Sequence, residues 1–246
     1  RRYGHGLLPD SFHAFCAQRD RWVAGAMQII RKHWRLMLPR RRQLTSVQKY
    51  HFVTGWAFWI SDALGVLAAV LNLLWVPMIL FVGVLVPAVP FTVPILAMFG
   101  VNLMHCALLY TLRVRIPPSH VVGAALASMS LQLTVARAVA KGLFKGRLTF
   151  LRTEKGGLAK LLAAPGPRRG VLGAEGWIGL ALAASAAAIW LSNERGSVEL
   201  NLFAATMAVQ CLPFLSAPAM VLLERYTRPK SRPKSQTTSA PVPQTS

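Results

Sequence analysis

Long uncharged runs separated by short basic ones dominate the chain. Beyond Asp62 itself, the stretch Asp62 to Val84 carries no charge, and neither does Ala88 to Leu112; Leu200 to Leu223 holds no Lys, Arg, Asp or Glu. A membrane-crossing helix needs about 20 mostly apolar residues, so each of the three predicts a span. Gly173 to Ser192 predicts a fourth; it is Ala-rich, carries Glu175 near its start and is less hydrophobic than the others. Ser119 to Phe144 is also apolar, but Ser128, Ser130, Gln132, Arg137 and Lys141 make it more polar toward its C-terminal end.

The first 49 residues follow a different pattern, with eleven Lys and Arg among apolar positions Phe12, Phe15, Cys16, Trp22, Val23, Ala26, Met27, Ile30, Trp34 and Met37. That spacing predicts a helix with one apolar stripe. A basic helix of this kind suits the cytoplasmic membrane surface, where Lys and Arg meet anionic head groups and Trp sits at the interface. From residue 225 onward Pro, Ser, Thr and Lys leave nothing to bury, which predicts a disordered basic tail over 225–246.

Charge placement decides the topology. With four spans (62–84, 88–112, 173–192 and 200–223), the cytoplasm receives residues 1–61, 113–172 and 224 onward, holding 27 of the 28 Lys and Arg. A fifth span at 119–144 would carry the basic run from Lys145 to Arg169 outside, so that segment is expected to be an interfacial helix. The fold class is therefore α-helical integral membrane: four transmembrane helices and two amphipathic interfacial ones, both chain ends cytoplasmic. Residues 1–49 form a cytosolic part, 50–224 the membrane region and 225–246 the tail.

Composition agrees, with 54% hydrophobic and 15% charged residues. The net charge of +20 is interleaved with apolar stretches, as in proteins that orient themselves in bilayers, so membrane lipids and not nucleic acid are the expected partner. Cys16, Cys106 and Cys211 are too scattered for a disulfide framework or a zinc site. The chain starts Arg1-Arg2-Tyr3 without Met or signal-peptide pattern and reads as a fragment.

Candidate chemistry lies at Gln18-Arg19-Asp20-Arg21-Trp22. On a helix Gln18, Arg21, Trp22 and Gly25 share one face, bringing an amide, a guanidinium and an indole together. A guanidinium binds a diphosphate through paired hydrogen bonds, an indole stacks on a sugar ring and an amide serves hydroxyls. The same residues also suit a plainer role, with Arg19 and Arg21 on lipid phosphates and Trp22 as an interfacial anchor.

The pattern Gln-(Gln/Arg)-x-Arg-Trp resembles a signature of membrane-integrated family 2 glycosyltransferases, the group of cellulose synthase and hyaluronan synthase. Gly6-Leu7-Leu8-Pro9-Asp10 resembles their lead-in turn. Downstream, Phe150-Leu151-Arg152-Thr153-Glu154-Lys155-Gly156-Gly157 is similar to the Phe-x-Val-Thr-x-Lys gating loop of cellulose synthases, with Arg152 where that family has Val. The resemblance covers nearly the whole chain. It implies that Arg21 contacts the nucleotide diphosphate, that Trp22 stacks on the acceptor's terminal sugar with Gln18 supporting it and Arg19 beside it, and that Phe150, Thr153 and Lys155 (loop 145–160) cover the nucleotide.

In that family an upstream α/β GT-A domain holds Mg²⁺ or Mn²⁺ on an Asp-x-Asp and supplies a general base from Thr-Glu-Asp. Neither motif occurs here: the only aspartates are Asp10, Asp20 and Asp62. The resemblance thus implies no catalytic residue and no metal in this chain, which alone would be inert. It implies an inverting transfer from a UDP-sugar, glucose first among candidates, to a growing polysaccharide at a bacterial inner membrane, coupled to export. A glycosyltransferase adding single sugars to a lipid or glycan stays open, as does a non-enzymatic transport or channel subunit. The latter more often shows intramembrane charge, and the interiors of these predicted spans carry none.

The remaining polar groups, Asn72, Asn102, His105 and Gln210, are expected to form interhelical hydrogen bonds or, with Trp75, to line a polymer path. Asp62 is expected to cap the first span, and Pro87, Pro90 and Pro94 to bend the entry to the second.

Overall fold

The computed structural model describes residue 9 and residues 11–38, 43–84, 88–145 and 171–227. Among them every regular element is helical. Helix α1 is Phe12–His33, α2 Ser46–Pro77, α3 Ala88–Leu108, α4 Pro118–Met129, α5 Gln132–Phe144, α6 Gly173–Ser192 and α7 Val198–Thr227.

Local sequence sets the boundaries. Ser11 caps α1 by accepting from the Ala14 N–H at 3.1 Å, while Arg31, Lys32 and His33 complement the dipole in its last turn. Thr45 and Gln48 form a reciprocal capping box at the start of α2. A π turn, Met78–Val82, extends α2 to Gly83, whose φ of +72° suits a residue without Cβ. Pro118 opens α4, where its missing N–H is no loss.

This capping corrects the reading of Asp62. Thr45 begins the helix and Asp62 lies well inside it. Ser46–Val82 is 37 residues, or about 55 Å at 1.5 Å per residue. That exceeds a hydrocarbon core of about 30 Å, so the helix projects beyond any bilayer it crosses. The Trp56, Phe58 and Trp59 cluster belongs to the same continuous helix.

Two clusters hold the described helices together. The larger joins α2 (Ala69, Val76) to the α6–α7 hairpin through Leu182, Ile189, Phe203, Met207 and Phe214. Gly179 lets these two helices approach, since a Cβ there would lie 2.8 Å from Leu215 Cδ2. The smaller cluster seats α1 on α5 through Val23, Ala24, Met27, Val135, Ala138 and Val139, with Trp59 and Ala63 of α2 alongside. Asn72 Nδ2 donates to Gln210 Oε1 at 2.7 Å, one of the expected interhelical hydrogen bonds. By contrast, Leu74, Phe81, Met98 and Leu112 turn outward from α2, α3 and the π turns that extend them, a surface that lipid and not water would cover.

Five helical stretches are long and apolar enough to cross a membrane: Ser46–Val82, Thr92–Val114, Pro118–Phe144, Gly173–Ser192 and Val198–Thr227. The chain is an α-helical, multi-pass membrane protein. The expected count of four is therefore one short of what length and composition allow. The additional segment is not a single helix, because it turns at Ser130-Leu131, with α4 against α7 and α5 against α1 and α2. Glu175, buried in the first turn of α6, lies 3.8 Å from Arg137 of α5, so neither charge crosses this region alone.

Candidate functional site: the exposed face of helix α1

Helix α1 is fixed at three levels. At its start the Phe12 N–H donates to Glu224 Oε2 of α7 at 3.1 Å. In its middle Asp20 pairs with Lys141 of α5 at 2.8 Å. At its end Arg31 Nη1 donates to the carbonyls of Leu143 and Lys145, at 3.2 and 2.6 Å, satisfying carbonyls at the C-terminus of α5. Between these ties Gly142 brings the backbones together, since a Cβ there would stand 2.6 Å from the Ala24 carbonyl oxygen.

The buried face of α1 is thus protein-covered. Val23, Ala24 and Met27 are enclosed, and Phe15, Cys16, Ala26 and Ile30 pack around them. This differs from the expected apolar stripe lying on lipid: Trp22 and Trp34 leave the stripe and stand 54% and 50% exposed. A helix has room for only three or four positions per two turns on its buried side, and α5 takes them.

On the open side, the structure pairs Trp22 with Arg19. The Arg19 guanidinium lies 5.0 Å from the Trp22 ring and 5.2 Å from the Phe15 ring, and its buried Nε has no hydrogen-bond partner. The expected face of Gln18, Arg21, Trp22 and Gly25 did not include this contact, which follows the i, i+4 and i+3 steps of Phe15, Arg19 and Trp22. A stacked guanidinium keeps its edge for in-plane donation, so Arg19 and Trp22 form one surface able to take an anion and an apolar ring face. Gln18 and Arg21 are partly exposed on the same helix, and Gly25 has open space around it. Phe150, Thr153 and Lys155 lie outside the described residues; Lys145, which opens that loop, is the residue whose carbonyl Arg31 holds.

Among the described residues no three His, Cys, Asp or Glu side chains come together as a metal would require. Asp20 is committed to Lys141. No disulfide joins Cys16, Cys106 and Cys211. Neither a family model, nor a curated protein, nor a solved structure matches the chain.

The Asp20–Lys141 pair, Arg31 and Gly142 are contributions that the sequence did not reveal, because each depends on α5 lying across α1. The pair is partly solvent-exposed. Asp20→Lys is expected to lower the thermal midpoint of the purified protein and Asp20→Lys with Lys141→Asp to restore it, a coupling of about 0.5–1 kcal/mol. Purely additive effects would show that the contact contributes nothing.

Proposed function

We propose that the chain is the membrane region of an inverting glycosyltransferase that transfers a sugar from a UDP-sugar to a glycan acceptor, with helix α1 forming the acceptor and diphosphate side of the site. One observation carries this reading. An exposed indole and a stacked guanidinium stand on a helix that is tied to its neighbours at both ends and in the middle. Interfacial anchors need no such fixation, whereas transfer depends on positioning, where a displacement of about 1 Å can cost about 100-fold.

In this reading Trp22 stacks on the acceptor sugar, Arg21 and Arg19 attract the diphosphate, and Gln18 holds a hydroxyl. Phe150, Thr153 and Lys155 cover the nucleotide. The resemblance puts the metal and the general base on an upstream GT-A domain. Four spans with α5 on the cytoplasmic surface keep the basic residues on one side. Glucose transfer to a growing, exported polysaccharide is the form we favour, at a bacterial inner membrane.

The test is UDP release by membranes containing the full-length protein, supplied with Mg²⁺ and either UDP-glucose or UDP-N-acetylglucosamine. Donor-dependent release is expected, and Arg21→Ala should reduce it by about 100-fold, the loss of one bidentate contact to the leaving group. A second observation favours a rival: Arg35 lies 5.7 Å from the exposed Trp34 ring, repeating the Arg and Trp pairing in a form suited to lipid head groups. No release with either donor, despite inserted protein, would support that anchoring reading and with it a transport subunit.

A further inference from the structure

Away from α1, a cavity of about 360 Å³ lies among α2, α3, α7 and the first turn of α5. Its walls are chiefly apolar, with Ala68, Ile95, Phe99 and Phe214 toward the inside and the exposed Leu64 and Met98 at its open rim. Into this setting the chain places acceptors that lack donors. Asp62 lines the cavity, and its carboxylate has no ion pair or hydrogen bond among the described residues. Gln132 reaches over the Asp62 face of α2, its Nε2 against Gly65 three residues on, which leaves its buried Oε1 without a hydrogen-bond partner. Pro213 has no N–H, so the Val209 carbonyl loses its helical donor, and both residues line the cavity. Gln210 Oε1 is already occupied by Asn72.

A carboxylate in apolar surroundings is costly unless a positive group meets it, and an unpaired buried carbonyl adds to the cost. A bare metal ion would answer the charge but leave the apolar walls unfilled, and hard cations prefer six or more oxygens. This half-open cleft has the size and lining of a small-molecule site, with a few polar groups among apolar walls. We propose that it binds a small protonated amine with a compact apolar body, the ammonium donating to Asp62 and Gln132 Oε1 and the body lying against Phe99 and Phe214. The proposal stands apart from sugar transfer and would survive its failure.

The experiment is isothermal titration of the full chain in lipid nanodiscs, with empty nanodiscs subtracted, using benzylammonium chloride as probe and benzyl alcohol, benzoate and sodium chloride as its neutral, anionic and bare-ion counterparts. Saturable one-to-one binding of benzylammonium is expected, with benzyl alcohol and benzoate weaker by about tenfold or more. Asp62→Asn should weaken it by at least about tenfold, as loss of a charge partner in apolar surroundings does. Gln132→Glu should tighten it, and Ala68→Phe should abolish it by filling the chamber while leaving Asp62 in place. Equal binding of benzyl alcohol, unchanged affinity in Asp62→Asn, or displacement of the amine by equimolar sodium would each overturn the proposal. Should Asp62→Asn fail to fold, the opposite responses of Gln132→Glu and Ala68→Phe decide the matter.

Discussion

Trp22→Ala in the full-length protein is expected to abolish sugar transfer while leaving expression, insertion and thermal stability unchanged. The separation follows from where the side chain stands. Trp22 is 54% exposed, so its removal opens no cavity between α1 and α5, and the usual cost of truncating a core aromatic, about 3–5 kcal/mol, does not arise. What disappears is the ring face available to an acceptor sugar and the partner that holds Arg19 in its stack. A misplaced acceptor loses the proximity advantage, and turnover should fall by about 100-fold or more. Trp22→Phe should recover part of it, because a smaller ring still offers a face. Normal UDP release from Trp22→Ala would remove the acceptor role and return the residue to interfacial anchoring; lost membrane insertion would also point to anchoring.

The membrane helices were legible because their signal is length and the absence of charge, which packing does not alter. Gly173–Ser192 was read with the boundaries the structure gives it. Asp62 was misread for a definite reason: the hydrophobic run starts there, but the helix starts at Thr45, where a capping box satisfies the first N–H groups. A hydropathy boundary marks where a helix enters lipid, not where it begins. The consequence reaches further than one cap, since Asp62 then stands inside a continuous helix at the edge of its apolar run, with its first-turn N–H groups already satisfied by Thr45 and Gln48. Segment 119–144 was read as a single helix because nothing in its composition marks the turn at Ser130-Leu131; the structure makes two helices of it, facing different partners.

The site was legible in its elements and not in its pairing. Gln18, Arg19, Arg21 and Trp22 were found together on one helix, yet which arginine meets the indole depends on χ angles and on which face α5 covers. Arg19 lies over Trp22 because Val23, Ala24 and Met27 claim the side toward α5. Cross-helix ties such as Arg31 to Leu143 and Lys145 carry no local pattern, being contacts between residues more than one hundred positions apart.

That dependence on α5 makes Gly142 the most sensitive position in the support of the site. A Cβ there would meet the Ala24 carbonyl oxygen and the Met27 Cβ, each at 2.6 Å, and the Ala24 Cα at 3.1 Å. Two of the three are backbone atoms, so no side-chain rotation relieves the overlap and the helices must separate. Gly142→Val is therefore expected to destabilise the protein by about 1–3 kcal/mol or more, the range for overpacking a tight contact. In doing so it should loosen the Arg31 and Lys141 ties that depend on the same spacing. Gly123 in α4 is the matched control, with nothing within 4 Å of a built Cβ; Gly123→Val should be neutral or stabilising by a few tenths of a kcal/mol. Thermal unfolding of the purified variants, together with trypsin sensitivity at Arg31, measures both effects. A lower midpoint and faster cleavage for Gly142→Val alone would establish that α1 is held against α5, because only that contact distinguishes the two glycines. Parallel behaviour of the two variants would show that α1 is not seated on α5, and the positioned face carrying Arg19 and Trp22 would lose its foundation.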